Sequence, residues 1–342
     1  MTILEILMHL KMAWGDMKEK RRYKYRGFVL VLVLGLFLSA CGDSEFRGDN
    51  DLLKDYRDAV ASSDYIIHAL GGEDNHSYIN SLDVLDKAYQ AGFRVFEADV
   101  SFTSDDVLVC AHSGEDNVWS KNDWEQRLGQ PYPFMWLDSF SGITTGESLK
   151  AEQKLRDEGY DVEKRTCSYD TFNSFKIQGK YSATSFDELL DYMETHTDMY
   201  LMLDAGKRSY EDTKKYYEGV VVAAGDRTEV LDRIIAGGQT TEMVKAAREA
   251  YDFPLINLYF DEDEKRETEI YEPEDFVNYC EKEGITSLSC DKGVFTGDAA
   301  KVLSDSDLII YVFTINEEGE AEGILSQGAD MVGTDFLWYK SN

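Results

Sequence analysis

Eight short apolar, β-prone runs punctuate this chain, and helix-like segments follow most of them. The runs are Tyr65–His68, Arg94–Asp99, Met199–Asp204, Leu231–Ala236, Pro254–Phe260, Ile285–Ser289, Leu308–Phe313 and Asp330–Thr334. Helical segments are predicted at Ile79–Ala91, Phe186–His196, Tyr210–Ala223, Thr241–Tyr251, Pro273–Glu283, Gly297–Leu303 and Glu317–Gln327. Pro273 near the start of one helix and Gly284 just past its end are the expected punctuation. Strands alternating with helices imply parallel strands joined by crossover helices. Eight such units in about 285 residues predict a (β/α)8 barrel, the TIM-barrel architecture. A doubly wound open sheet is the alternative, but no glycine-rich phosphate fingerprint follows the first strand.

One interval breaks the rhythm. Residues 113–182 separate the second strand unit from the third, which is too long for a plain connection. Trp119, Trp124, Tyr132, Phe134, Trp136 and Phe140 fall inside it. It is read as an insertion rising from the C-terminal rim, its aromatics forming its own core or lining a substrate mouth.

The beginning of the chain looks like an address label. Lys18, Lys20, Arg21, Arg22, Lys24 and Arg26 precede an apolar run from Gly27 to Ala40. That run is too short for a comfortable membrane span and fits the core of a secretory signal. Leu38-Ser39-Ala40-Cys41 reads as a bacterial lipobox, with Cys41 the lipidated first residue of the mature protein. The predicted organisation is a signal peptide over 1–40, a polar tether over 41–54 and a barrel over 55–342. The expected location is extracytoplasmic, held to the cell membrane by a lipid anchor. The whole chain carries -31, and residues 1–40 contribute +4 (seven Lys/Arg against three Asp/Glu), so the remainder carries -35. Such a surface excludes nucleic acid as a partner, because phosphates need Lys and Arg. Cys110, Cys167, Cys280 and Cys290 show no CxxC spacing, which argues against zinc.

The chemistry concentrates between Ile67 and His112. Glu97 and Asp99 lie two apart on a strand and share a face, with Phe96, Ala98 and Val100 on the other. Paired carboxylates are costly to bury unless a cation sits between them, and hard oxygen donors favour Mg²⁺ or Ca²⁺. A solvated acidic pair is the other reading. The segment after Asp99 predicts a hairpin turning at Ser104-Asp105-Asp106-Val107. With Asp105-Asp106 as a two-residue loop, Asp99 faces His112. His68 ends the first strand, so two imidazoles flank the carboxylates and suit acid–base chemistry. Asp204, ending the third strand, is a candidate third carboxylate, and Lys207 is a candidate contact for an anionic substrate.

These residues resemble the glycerophosphodiester phosphodiesterase family and, more distantly, sphingomyelinase D-type phospholipases. The matching pieces are His68 with Gly71-Gly72, Asn80-Ser81, Glu97-Ala98-Asp99, Thr103-Ser104-Asp105, His112, Asp204 with Lys207, Gln239, Phe313-Thr314-Ile315-Asn316 and Gly333-Thr334-Asp335. The resemblance implies a barrel that cleaves phosphodiesters of the glycerophosphodiester or phospholipid head-group type. It makes His68 and His112 the acid–base pair, Glu97, Asp99 and Asp204 the ligands of one divalent cation, and Lys207 a phosphate contact. Two positions depart from the family pattern. Ala69 stands where the family usually has Arg, and Asp204 with Lys three residues on replaces Glu with Lys two on. They motivate a rival expectation, a lipoprotein on the same barrel that binds metal or phosphodiester without turnover.

Overall fold

The structure is a computed structural model. It describes residues 49–103, 105–111, 160–161, 166–174, 176–177, 180–206, 209–260 and 272–340. Eight parallel strands close on themselves in chain order, and one antiparallel strand pairs beside them. The parallel strands are β1 (Tyr65–Ile67), β2 (Val95–Phe102), β4 (Tyr200–Asp204), β5 (Ile234–Gly238), β6 (Leu255–Tyr259), β7 (Ser287–Asp291), β8 (Ile309–Phe313) and β9 (Met331–Thr334). The antiparallel one, β3, covers Leu108–Cys110. Closure is explicit, because β1 pairs with β2 at Ile67↔Phe96 and with β9 at Tyr65↔Val332. This is the predicted TIM barrel, and its strands occupy the eight apolar runs.

Why these runs make a barrel follows from their faces. On β2, Phe96, Ala98 and Val100 join the large core between strands and helices, whereas Val95 belongs to a second core inside the barrel. On β4, Leu201 and Leu203 face the helices, and Tyr200 and Met202 face inward. The period-two alternation therefore directs Glu97, Asp99 and Asp204 into the barrel mouth. The pairing Asp99↔Asp204 puts two of them side by side.

The outer layer contains α2 (Leu82–Gln90), α3 (Phe186–Thr195), α4 (Tyr210–Ala224), α5 (Thr241–Ala250), α6 (Pro273–Lys282), α7 (Gly297–Ser304) and α8 (Glu318–Ser326). Caps fix several of their starts. Ser185 and Glu188 form a reciprocal capping box on α3, and the side chains of Ser81, Ser209 and Thr240 cap α2, α4 and α5.

A helix, α1 (Asp49–Ala61), begins inside the stretch predicted to be a tether. Tyr56 and Val60 are buried in the barrel's inner core beside Ile66, Val95 and Tyr200, with Leu52 and Leu53 packed against them. The Tyr56 and Tyr200 rings lie 5.1 Å apart. Four apolar residues spaced i, i+1, i+4 and i+8 amid Asp and Lys were enough to make a plug. The residues from 49 to 54 are thus barrel, not tether. The rest of the tether, the predicted signal peptide and Cys41 lie outside the described residues.

The hairpin after β2 forms with a register one residue from the expected one. Its pairs are Val100↔Cys110, Ser101↔Val109 and Phe102↔Leu108. Thr103 N–H donates to the Val107 carbonyl at 2.8 Å, closing a three-residue turn with Asp106 left-handed at φ 60°. That register sets Asp99 against Ala111 rather than His112. Of the insertion, the described parts include two short antiparallel pairs, Tyr160–Asp161 with Thr166–Cys167 and Lys176–Ile177 with Tyr181–Ser182.

Candidate active site

The C-terminal rim of the barrel gathers the acidic residues around a cleft of about 280 Å³. One carboxylate oxygen from each of Glu97, Asp99 and Asp204 falls within 4.8 Å of the others. Glu97 and Asp99 are each 4% exposed. Asp204 is the most open of the three, and its Oδ1 accepts from Gly206 N–H at 2.7 Å.

Glu97 and Asp99 are each held by a donor from outside their own strand. The Ala69 backbone N–H donates to Glu97 Oε2 at 2.6 Å. The Asn80 side-chain amide donates to Asp99 Oδ2 at 2.7 Å, and Asn80 Oδ1 accepts from Asp99 N–H at 3.1 Å. Both donors come from the loop after β1, where a turn rather than a strand end carries the histidine. His68–Leu70 forms a single 3₁₀ turn in which Ala69 and Leu70 have φ of 48° and 56°. Side chains rarely adopt that conformation. Here it aims the Ala69 N–H at Glu97.

Glu97 is the least comfortable member of the group. Burial, then the neighbouring Asp99 charge, pushes its carboxyl well above the usual carboxylate range. Its Oε1 is buried and has no hydrogen-bond partner among the described residues. A buried orphan oxygen beside two further carboxylates fits a hard divalent cation, which would satisfy the orphan and offset the repulsion. Among the described residues the donor set is all oxygen, the chemistry of a hard divalent cation.

His68 stands at the edge of this cluster, its Nε2 3.9 Å from Glu97 Oε2. Its Nδ1 lies 2.8 Å from Asp335 Oδ1. A carboxylate only accepts, so Nδ1 carries the proton and Nε2 is the atom turned toward the cluster. Burial alone would lower the His68 pKa. The Asp335 hydrogen bond and the charges of Glu97, Asp335 and Asp99 outweigh it and push the imidazole up to about 10. Asp335 is itself fixed by Asn316, whose Nδ2 donates to Asp335 Oδ2 at 2.8 Å and whose Oδ1 accepts from Asp335 N–H at 2.9 Å.

The His68 loop is bolted to the segment after β9. Gly72 N–H donates to the Asp335 carbonyl at 2.8 Å, and Trp338 Nε1–H donates to the Gly72 carbonyl at 3.2 Å. A Cβ on Gly72 would come within 2.5 Å of the Phe336 ring, so this approach requires glycine. The loop also presents Tyr78, whose ring packs edge-on against His68 with centroids 4.8 Å apart. Burial, followed by Asp99 and the other site carboxylates, pushes the Tyr78 phenol upward.

Of the residues singled out from the sequence, His68, Glu97, Asp99 and Asp204 converge on one site. His112 and Lys207 lie outside the described residues, as does Cys41. Asp335, Asn316 and Asn80 had no role assigned from the sequence, yet they orient the histidine and a carboxylate. Asp335 and Asn316 carried a signal, as polar residues just past an apolar run. Gln239, another motif residue, lines the cleft.

The family model for the glycerophosphoryl diester phosphodiesterase family matches residues 71–338. No curated protein matches the chain. Among solved structures, a glycerophosphoryl diester phosphodiesterase described as putative, from Silicibacter pomeroyi, superposes with a TM-score of 0.59 at 14% identity, covering 82% of this chain and 94% of that one. A glycerophosphodiester phosphodiesterase from Parabacteroides distasonis gives 0.53 at 15%, covering 79% and 92%. An Oleispira antarctica phosphodiesterase, solved with the product sn-glycerol-3-phosphate, gives 0.54 at 14%, covering 81% and 94%. At such identities the likeness is one of fold.

Proposed function

Because the chain belongs to the glycerophosphoryl diester phosphodiesterase family, we propose that it hydrolyses glycerophosphodiesters with the help of one divalent cation, Mg²⁺ or Ca²⁺. The observation that carries the cation is Glu97 Oε1, buried, unpartnered among the described residues and within reach of Asp99 and Asp204. Glu97, Asp99 and Asp204 would hold the ion. When bound, it supplies Lewis-acid polarisation of a phosphoryl oxygen and offsets charge that grows in the transition state.

The protein's own groups do the rest. His68, with Nδ1–H tied to Asp335, keeps Nε2 for proton transfer at an oxygen of the phosphodiester. His68 and His112 form the acid–base pair: one removes the proton of the attacking hydroxyl, and the other returns a proton to the departing alcohol oxygen. A new P–O bond forms as the bond to the alcohol breaks. The attacker is either water or the neighbouring hydroxyl of the glycerol, which gives a cyclic phosphate. Lys207 contacts the phosphate. The sn-glycerol-3-phosphate in the Oleispira structure supports retention of phosphate on the glycerol side.

The test is turnover of a panel of glycerophosphodiesters by the purified chain, with products identified. Activity in Mg²⁺ or Ca²⁺ that disappears with EDTA and in His68→Ala is expected. Activity indifferent to both would sink the mechanism. Tight binding without turnover would favour the non-catalytic lipoprotein, the reading that Ala69 motivates by removing a bidentate phosphate donor.

The location belongs to the same proposal. The basic cluster, the short apolar run and Leu38-Ser39-Ala40-Cys41 support export and lipidation at Cys41. Among the described residues no helix is long and apolar enough to cross a membrane. The chain should fractionate with membranes, and Cys41→Ala should release it.

A further inference from the structure

We propose that the Tyr311 phenol is a further substrate contact of this site, its hydroxyl donating a hydrogen bond to a non-bridging oxygen of the diester phosphate. The inference rests on the phosphodiesterase reading and deepens it by naming a residue to which the sequence assigned no role. Two features carry it.

The first is an unengaged hydroxyl at the cleft. Tyr311 is the middle residue of β8, on the face that looks into the barrel together with Ile309 and Phe313. Its ring lies 5.0 Å from that of Phe313, and the residue is only 3% exposed. It nevertheless lines the cleft beside Glu97 and Asp204. Among the described residues no hydrogen-bond partner engages its hydroxyl. Burial, then the charges of Glu97 and Asp204, push the phenol upward, so it keeps its proton and stays a donor. Glu97 Oε1 is an unengaged acceptor in the same cleft, and the two do not satisfy each other. Leaving buried polar groups open is costly. A phosphate carried by a cation answers both, the ion going to the carboxylate and the anionic oxygen to the phenol. Among the described residues lining the cleft there is no Lys or Arg, and Ala69 stands where the family usually has Arg. A neutral donor therefore takes on more of the phosphate here.

The second feature is the room made for that hydroxyl. A Cβ on Gly333 of β9 would come within 2.4 Å of the Tyr311 hydroxyl oxygen and 2.5 Å of its ring. The strand cannot yield, because Gly333 pairs with Ile66 of β1 and its carbonyl accepts from Ile315 N–H at 2.7 Å. Any side chain at this position would displace the phenol from the cleft, so glycine is required by the close approach.

The experiment compares the full chain with Tyr311→Phe in detergent with saturating Mg²⁺, using glycerophosphoglycerol as substrate. The variant loses the hydroxyl and keeps the ring. Its kcat/KM should fall about tenfold to a hundredfold, the size of a hydrogen bond to a charged group, with thermal unfolding little changed. Phosphorothioate stereoisomers of the diester separate contact from scaffolding. Sulfur accepts hydrogen bonds weakly, so the isomer that turns sulfur to the phenol should be cleaved almost equally by both proteins, while the other isomer keeps the full difference. The same difference for both isomers overturns the contact. Calorimetry gives a readout independent of turnover. The Mg²⁺-loaded variant should bind sn-glycerol-3-phosphate about tenfold more weakly than the parent, whereas Mg²⁺ alone should bind both equally. Loss of Mg²⁺ affinity by the same factor would assign the hydroxyl to the cation and overturn the inference. Gly333→Ala, which keeps the phenol but displaces its hydroxyl, should repeat the loss and serves in place of Tyr311→Phe if that chain does not fold. If neither protein cleaves any diester, the hydrolytic reading fails. The affinities for sn-glycerol-3-phosphate then decide this inference, equal values overturning it and a tenfold gap supporting it.

Discussion

The imidazole Nδ1 of His68 lies 2.8 Å from Oδ1 of Asp335, although 267 positions separate the two residues. The contact exists because β1 and β9 are neighbours at the seam of the barrel. It sets which ring nitrogen faces the carboxylates, and it gives Asp335 a role in positioning rather than in contact with substrate.

Asp335→Asn tests this. The amide can keep one bond to Asn316 but cannot hold the imidazole in the same charged pairing. A fall in kcat of about 10- to 100-fold is expected, as for other groups that orient a reacting side chain. Thermal unfolding should change little. If kcat is unaltered while His68→Ala is inactive, Asp335 does not position the ring.

Glu97→Gln separates stability from cation binding. The folded state raises the Glu97 pKa, so the ionised carboxylate opposes folding more as pH climbs above its ordinary value of 4.5. Without metal at pH 7 the variant should be at least as stable as the parent. The parent should gain about 2.7 kcal/mol when Mg²⁺ or Ca²⁺ stands at 100 times its Kd. Glu97→Gln should lose most of that gain. Melting curves with and without the ion read both effects, and an equal gain in both proteins would remove Glu97 from the ligand set.

Glu73 predicts an acid limb to stability. Burial alone would raise its pKa, but hydrogen bonds from Lys180, Lys87 and Tyr181 outweigh that and hold it at about 2. A depressed carboxyl stabilises the fold above its unfolded value near 4.5 and loses that stabilisation as pH falls toward 2. For a partly exposed group the contribution is about 1 kcal/mol. Urea titrations should find Glu73→Gln weaker than the parent by that amount at pH 7, with the gap narrowing between pH 5 and pH 3. A gap independent of pH would mean that the three bonds do not depend on the charge.

Tyr56→Ala tests the plug. Tyr56 is fully buried under the barrel floor, and removing such a ring costs about 3–5 kcal/mol. Chemical denaturation should show a loss of this order. A loss below about 1 kcal/mol would mean that α1 is an appendage and that the tether extends past it.

Much of this molecule was legible beforehand, for a local reason. Apolar alternation in runs such as Tyr200–Asp204, and caps such as Ser185 with Glu188, act over a few residues. Misreadings occurred where a local signal was weak or outvoted. In α1, Asp and Lys outnumber the four apolar residues that bury it. At the hairpin, the Thr103–Val107 pairing takes three residues into the turn and shifts the register by one. At His68, the chain leaves the strand one residue early because Ala69 and Leu70 turn left-handed.

Order, type and face of the eight parallel strands and of the helices that follow them were therefore settled by the amino-acid pattern alone, since period and backbone sterics are short-range properties. So was the common face of Glu97 and Asp99. Which distant groups complete the site was decided only by closure of the sheet. Sealing the last strand against the first brings Asp335 and Asn316 to His68, and aligning Asp99 with Asp204 completes the acidic trio. No local rule encodes those meetings, because they depend on strand register summed around the whole ring.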